Sequence, residues 1–234
     1  YIVHGSSSEQ GTFTVTPDDK YFSRQWALHN DATYTMGGLY TPKKDADIDM
    51  PEAWEIEQGD SSVIVAIMDS GCKMDHPELA GRLWKNKGEI PGNNIDDDNN
   101  GYIDDVNGWD FINNDNDPAD DNGHGTSVAG IIGANWNNGI GFVGVNPHVK
   151  IMVVKVLDSL KRGNTSVSSK GIDYVIKMGA NIINMSFFSP NFLQTFADLI
   201  KHTNSNGVVI IAGTGNRNLE QIGYPAAYKE VIAV

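Results

Sequence analysis

An unbroken apolar run, Val63-Ile-Val-Ala-Ile-Met68, stops on an aspartate followed by two small residues, Asp69-Ser-Gly71. A β-branched stretch without polar alternation suits a strand covered on both faces, and such strands belong to parallel sheets sandwiched between helices. Runs of the same type recur at 150–157, 181–185 and 208–212. Amphipathic stretches separate them. One covers 124–133, a second 166–178 with Val167, Ile172, Val175 and Ile176 on one side, and a third 192–202 with Phe192, Phe196, Leu199 and Ile200 at helical spacing. A shorter helix is expected to start near Pro51, whose fixed φ suits a first turn. The alternation predicts an α/β fold: a three-layer, doubly wound, mainly parallel sheet with helices on both faces and ligands at the carboxyl ends of its strands. Asp69 falls at such an end.

The 234 residues are enough for one substantial core, and no Pro-rich or Ser-rich linker divides them. Thirty acidic against seventeen basic side chains give a net charge of −13, which argues against a nucleic-acid or anionic-membrane partner. The excess is concentrated. Ten aspartates lie between Asp96 and Asp121 with no Lys or Arg among them, and such a block repels itself unless water or cations screen it. A single cysteine, Cys72, excludes an intrachain disulfide. It reads as a small buried hydrophobe or as a thiol near the cleft.

A carboxylate at a strand tip and a histidine between two glycines, Gly123-His124-Gly125, can form the base and orienter that activate a hydroxyl nucleophile. Asp69-Ser-Gly71 followed by Asp75-His-Pro-Glu-Leu79, and then Gly123-His-Gly-Thr126, resemble the aspartate and histidine motifs of the subtilisin-like serine proteases (subtilases, peptidase S8 family, thermitase-like). The resemblance runs from about residue 17 to the end. It implies a serine endopeptidase in which Asp69 orients His124, Ser186 pairs its backbone with an extended substrate, and Asn216 donates to the oxyanion. Phe187, Phe188, Gly213, Thr214 and Gly215 would line the substrate site. The family usually carries glycine where Phe188 stands, so this ring is expected to narrow the pocket for the residue preceding the scissile bond. Ser127 sits where many members have a second histidine. Gly125-Thr-Ser-Val-Ala129 thereby imitates the family's nucleophile motif, but Ser127, three residues after His124, is too near it to reach the position opposite Asn216.

The family's serine motif would lie beyond Val234. The chain is therefore expected to be an internal segment of a longer, secreted enzyme, inactive alone, with residues 1–18 a propeptide tail and pro/mature junction and 19–234 a partial catalytic domain. A naturally truncated, inactive calcium- and peptide-binding module is the alternative. Peptide or protein substrates and the protein's own propeptide are the partners implied, with no nucleic acid or membrane, and the protein is expected to act as a monomer.

Calcium (Ca2+) is the expected cofactor, at three places. Asp96, Asp98, Asn100, the Tyr102 carbonyl and Asp104 have calcium-loop spacing, with Gly101 at the turn and Asn107 where an EF-hand has glutamate. A solvated acidic turn is the other reading of that loop. The resemblance adds Asp110, Asn113, Asp115 and Asp117 as a second locus. It also implies a third, assembled from Asp19, Glu78 and Asn138 with the carbonyls of Trp136, Ile140 and Phe142.

Overall fold

Six parallel strands form one sheet in the order β2-β3-β1-β4-β5-β6. They are β1 (Ile64–Asp69), β2 (Gly108–Asp110), β3 (Lys150–Lys155), β4 (Ile182–Met185), β5 (Val209–Ala212) and β6 (Val231–Ala233). The helices are α1 (Met50–Ile56), α2 (His124–Gly133), α3 (Thr165–Lys177) and α4 (Gln194–Ser205). This computed structural model describes residues 15–216 and 222–234. Most of the propeptide tail expected over 1–18 therefore lies outside the described residues.

Alternate residues of each strand feed two cores. Ala66 and Met68 of β1, Met152 and Val154 of β3, Ile183 and Met185 of β4, and Ile210 and Ala212 of β5 pack with Ile172, Tyr174 and Val175 of α3 and Phe196 and Ile200 of α4. On the opposite face Val65, Ile67, Ile151 and Val153 pack against Ala129 of α2. Both faces of β1 and β3 are thus dry, which is why their sequences lack alternation. A third cluster joins Phe22, Leu28 and Trp54 of the amino-terminal region to Val143. The Trp54 indole N–H donates to the Val145 carbonyl at 2.8 Å, and its ring meets Trp136 edge-on at 4.2 Å between centroids.

The expected doubly wound architecture is present, with small differences. β2 and β6 are only three residues long, too short to give a periodic signal. The third long helix begins at Gln194, not at Phe192, because Leu193 is extended (φ −132°) and Phe192 instead packs on Tyr224 and Tyr228. Chain winding reverses between β1 and β4, since β1 lies between β3 and β4 in the sheet. The crevice at the carboxyl ends of β1 and β4 is therefore where such a fold places its ligands. Among the described residues, no helix is long and apolar enough to cross a membrane.

Candidate active site

Asp69, the last residue of β1, is fully buried, and its Oδ1 accepts the Ser70 backbone N–H at 2.7 Å. His124 opens α2. Its Nδ1 lies 2.8 Å from Oδ1 and 2.9 Å from Oδ2 of Asp69. An ionised carboxylate only accepts, so Nδ1 is the donor, and in the neutral ring Nε2 then keeps its lone pair. The imidazole is one-third exposed while its partner is sealed from water. This is a base with its outer nitrogen available and its inner one fixed.

The glycines flanking His124 permit that approach. Gly123 is left-handed (φ 97°), and a Cβ on Gly125 would stand 2.1 Å from the Gly71 carbonyl oxygen. Polar side chains complete the joint. Ser70 Oγ accepts from the Gly125 N–H at 3.0 Å and donates to Asp120 Oδ1 at 2.8 Å. The Asp120 carboxylate also accepts the backbone N–H groups of Asn122, Gly123 and Thr126 and the Thr126 hydroxyl. Burial pushes the Asp120 carboxyl up, but the hydrogen bonds from Thr126, Gly123 and Asn122 outweigh it and hold the group below the usual carboxylate range. Lys155, only 1 % exposed, ends β3 and donates to the carbonyls of Ser70 (2.8 Å) and Leu157 (3.3 Å) and to Asp121 (2.8 Å). Neither Asp120 nor Lys155 was singled out from sequence, although a lysine inside a doubly buried strand already signals a buried partner.

Two residues near this joint are unsuited to attack. The Ser127 hydroxyl donates to the Gly123 carbonyl at 2.9 Å on the exposed side of α2. Cys72 is buried, and burial followed by the nearby Asp120 charge pushes its thiol up to about 12.

The other wall of the crevice comes from β4 and β5. Met185 pairs with Ala212, and beyond them the Gly213 N–H donates to the Met185 carbonyl at 3.2 Å. Ser186 Oγ accepts from Asn184 at 2.9 Å, Thr214 N–H donates to the Val234 carbonyl at 2.7 Å, and Asn216 follows in an exposed bend. Asp69, Ser186 and Asn216 thus all issue from strand carboxyl ends on one edge of the sheet. A cavity of about 310 Å³ opens beside this edge, lined by Phe187, Phe188, Leu193, Phe196, Tyr224 and Tyr228 among others.

The three expected metal loci differ in geometry. Asp19 and Glu78, both at least nine-tenths buried, meet at the 137–142 loop, where Asp19 accepts from the Asn137 N–H (2.8 Å) and Glu78 Oε2 from the Asn138 amide (2.9 Å). Glu78 Oε1 is buried without a partner, and a Cβ on Gly141 would stand 1.9 Å from it. This loop also carries Ile140 and Phe142, and Trp136 precedes it, anchored by its indole N–H on the Gly144 carbonyl.

At the 96–104 loop Asp96 and Asp98 come together, but with Glu89: ligand oxygens of the three lie within 4.8 Å of one another. Asp104 does not join them, because its carboxylate accepts the N–H groups of Gly92, Asn93 and Asn94. Asn100 turns its amide nitrogen to Asp98 and Asp105 and its oxygen to the Tyr102 N–H.

The locus expected at Asp110, Asn113, Asp115 and Asp117 is built as a turn. Asp110 and Asp115 close a tight antiparallel turn through two backbone hydrogen bonds, and the Asp110 carboxylate is taken up by the N–H groups of Ile112 and Asn113 and the Asn113 amide. Asp110 is fully buried while Asn113, Asp115 and Asp117 face solvent, so the structure does not gather Asp110, Asp115 and Asp117 into one ligand set.

Comparison with known proteins identifies the family. The family model described as Subtilase family (peptidase S8) matches residues 60–234. Subtilisin-like protease 1 of Plasmodium berghei is 42 % identical over 153 residues, covering 65 % of this chain and 26 % of the relative. The corresponding Plasmodium vivax protein is 36 % identical over 218 residues, covering 93 % and 32 %. Thermitase of Thermoactinomyces vulgaris is 33 % identical over 219 residues, covering 94 % and 64 %. The chain thus spans between about a quarter and two thirds of the length of these relatives. With its buried aspartate clasping a helix-leading histidine at the carboxyl edge of a parallel sheet, the chain belongs to the subtilase family of serine proteases.

Proposed function

We propose that this chain is part of a subtilisin-type serine endopeptidase, in which its aspartate and histidine activate a serine hydroxyl from outside residues 1–234. The observation that carries the reading is the clasp of His124 Nδ1 by the buried Asp69 carboxylate, which leaves Nε2 free to act as a base. His124 then takes the proton of the attacking hydroxyl and returns it to the leaving amine, while Asp69 holds the tautomer and stabilises the imidazolium. Asn216 donates to the oxyanion, and the backbone at Ser186 receives the peptide as an added strand.

A second feature supports a further segment. On the α2 side of the sheet, Ile182 pairs with Val209 and Ile211 with Ile232, and Val209 is 41 % and Ile232 53 % exposed. Among the described residues α2 packs on β1 and β3, and on this reading a further element would seat on the open face of β4 to β6. On the same reading the 234-residue chain alone is inactive, and Ser127 is not a substitute nucleophile.

Calcium belongs to the proposal. Asp19, Glu78 and Asn138 fit a hard divalent cation, because the buried Glu78 oxygen has no hydrogen-bond partner and Gly141, lacking a Cβ, lets that carboxylate lie against the loop. Carbonyls of Trp136, Ile140 and Phe142 would complete the shell. Asp96 and Asp98, with Glu89, are a second candidate pair of anchors. The cation supplies stability here and no step of catalysis. Secretion and removal of a propeptide by processing within residues 1–18 are parts of the same reading; one relative is the Major intracellular serine protease of Bacillus subtilis, so the family alone does not fix the compartment.

The deciding experiment is fluorophosphonate labelling of the full-length protein and of the 1–234 chain. Labelling of the full-length protein, lost in a His124→Ala variant and absent from 1–234, is the expected pattern. Labelling of 1–234 overturns the claim that it lacks its nucleophile, and peptide binding without labelling of the full-length protein identifies a non-catalytic module.

A further inference from the structure

The segments leaving β4 and β5 are tied together twice. The Gly213 N–H donates to the Met185 carbonyl at 3.2 Å, and Ser189 and Tyr224 exchange backbone hydrogen bonds of 2.6 and 2.8 Å. Between these ties the Phe188 ring lies against two glycines. A Cβ added to Gly215 would stand 3.6 Å from Cδ1 of the ring, and one added to Gly223 would stand 2.9 Å from Cδ2. Gly223 therefore has no room for any side chain, and Gly215, with φ 100°, holds a conformation that side chains avoid. The ring occupies the gap between the two exit segments. At 37 % exposure it remains part of the wall that a ligand meets.

The position of this gap relative to a bound peptide follows from the roles proposed above, on which the inference rests. The carbonyl polarised by Asn216 belongs to the residue preceding the scissile bond. A peptide paired on the Ser186 segment then directs that residue's side chain between the β4 exit and the Gly213–Asn216 stretch, where Phe188 already stands. We infer that Phe188 is the specificity-determining residue of the cleft: its ring fills the gap between Gly215 and Gly223 and restricts the residue preceding the scissile bond to Gly, Ala or Ser. A larger side chain must displace a ring packed tightly on the Gly223 side, whereas a small one fits the space beside Gly215 and packs on the ring's exposed surface.

The test uses the full-length protein and otherwise identical fluorogenic peptides with Gly, Ala, Leu or Phe before the scissile bond. The expected wild-type result is a kcat/KM for Ala exceeding that for Phe by about 100-fold, within the range that pocket size alone achieves. Phe188→Gly is expected to raise the Phe-to-Ala ratio by about 100-fold, with Phe188→Ala intermediate. Melting curves of both variants serve as fold controls, and the wild-type profile stands as evidence without them. Equal wild-type cleavage of the Ala and Phe peptides overturns the inference alone, as does an unchanged ratio in folded variants. Failure of wild type and variants to cleave any peptide overturns the protease reading and this inference with it.

Discussion

Lys155 lies opposite Asp69 in the β1–β3 register, and its buried ammonium holds the Ser70 carbonyl at 2.8 Å. The same nitrogen reaches Leu157 and Asp121, so one side chain fixes the end of β1, the turn after β3 and the loop leading to His124. Asp121 is about half exposed and regains water if its partner is lost, so the ion pair itself contributes little. The two carbonyls do not have that option. Lys155→Met keeps the apolar stem and leaves them unsatisfied, and is expected to lower unfolding free energy by about 2–4 kcal/mol, read from urea denaturation. A loss under about 0.5 kcal/mol would mean that water replaces the ammonium without strain.

Asp69→Asn tests the clasp itself. An asparagine amide in place of the carboxylate can donate to Nδ1, which favours the tautomer with the proton on Nε2 and removes the base. In the full-length enzyme kcat is expected to fall about 10⁴-fold, with the melting temperature nearly unchanged because the geometry is kept. A fall of less than about tenfold would remove Asp69 from the catalytic set.

Much of this site was legible because its parts are local. The strand ending at Asp69 announces itself by a β-branched run, and His124 by two glycines that a tight strand-helix approach requires. The partnerships that cross the chain were less visible. Lys155 reads as one polar residue in an apolar stretch, and only the β1–β3 register sets its ammonium under Ser70. At the acidic loop, spacing placed Asp104 with Asp96 and Asp98, yet Asp104 has a left-handed backbone (φ 56°) and caps the 92–94 turn while Glu89 takes its place. Asp110 misled for a related reason, since short aspartate side chains satisfy neighbouring N–H groups as readily as they bind cations. Asp19, Glu78 and Asn138 are far apart in the chain and were grouped only by family resemblance. Their meeting depends on the aromatic cluster around Trp54 and Trp136, which no local pattern encodes.

Calcium, as proposed at the Asp19–Glu78 locus, would tie the amino-terminal segment to the 137–142 loop, and the unfolded chain cannot assemble those ligands. At a free concentration one hundred times its dissociation constant, the ion adds about 2.7 kcal/mol of stability. For a domain of this size chelation is then expected to lower the melting temperature by about 5–10 °C. Glu78→Gln should lose most of that response to chelation. An equal response in the variant assigns the effect to another locus such as Glu89, Asp96 and Asp98, and no response in either protein rejects the calcium reading.

Asp120 gives the site a pH signature. Its carboxyl is held below the usual range by hydrogen bonds present only in the fold, so its contribution is complete above the unfolded value of about 3.9 and is lost as pH falls through the folded value. Asp120→Asn keeps the shape but not the charge, and its amide nitrogen cannot accept, so either the Oδ1 partners (the Ser70 hydroxyl and the Asn122 and Gly123 N–H groups) or the Oδ2 partners (the Thr126 N–H and hydroxyl) lose their acceptor. The variant is expected to be less stable than wild type by about 1–3 kcal/mol at pH 7, with the difference shrinking as the pH drops below about 4. Parallel urea titrations from pH 7 to pH 3 read both quantities. A stability gap that stays constant across that range would show that Asp120 acts through shape alone and that the charge-assisted hydrogen bonds around Ser70 do not hold the histidine loop.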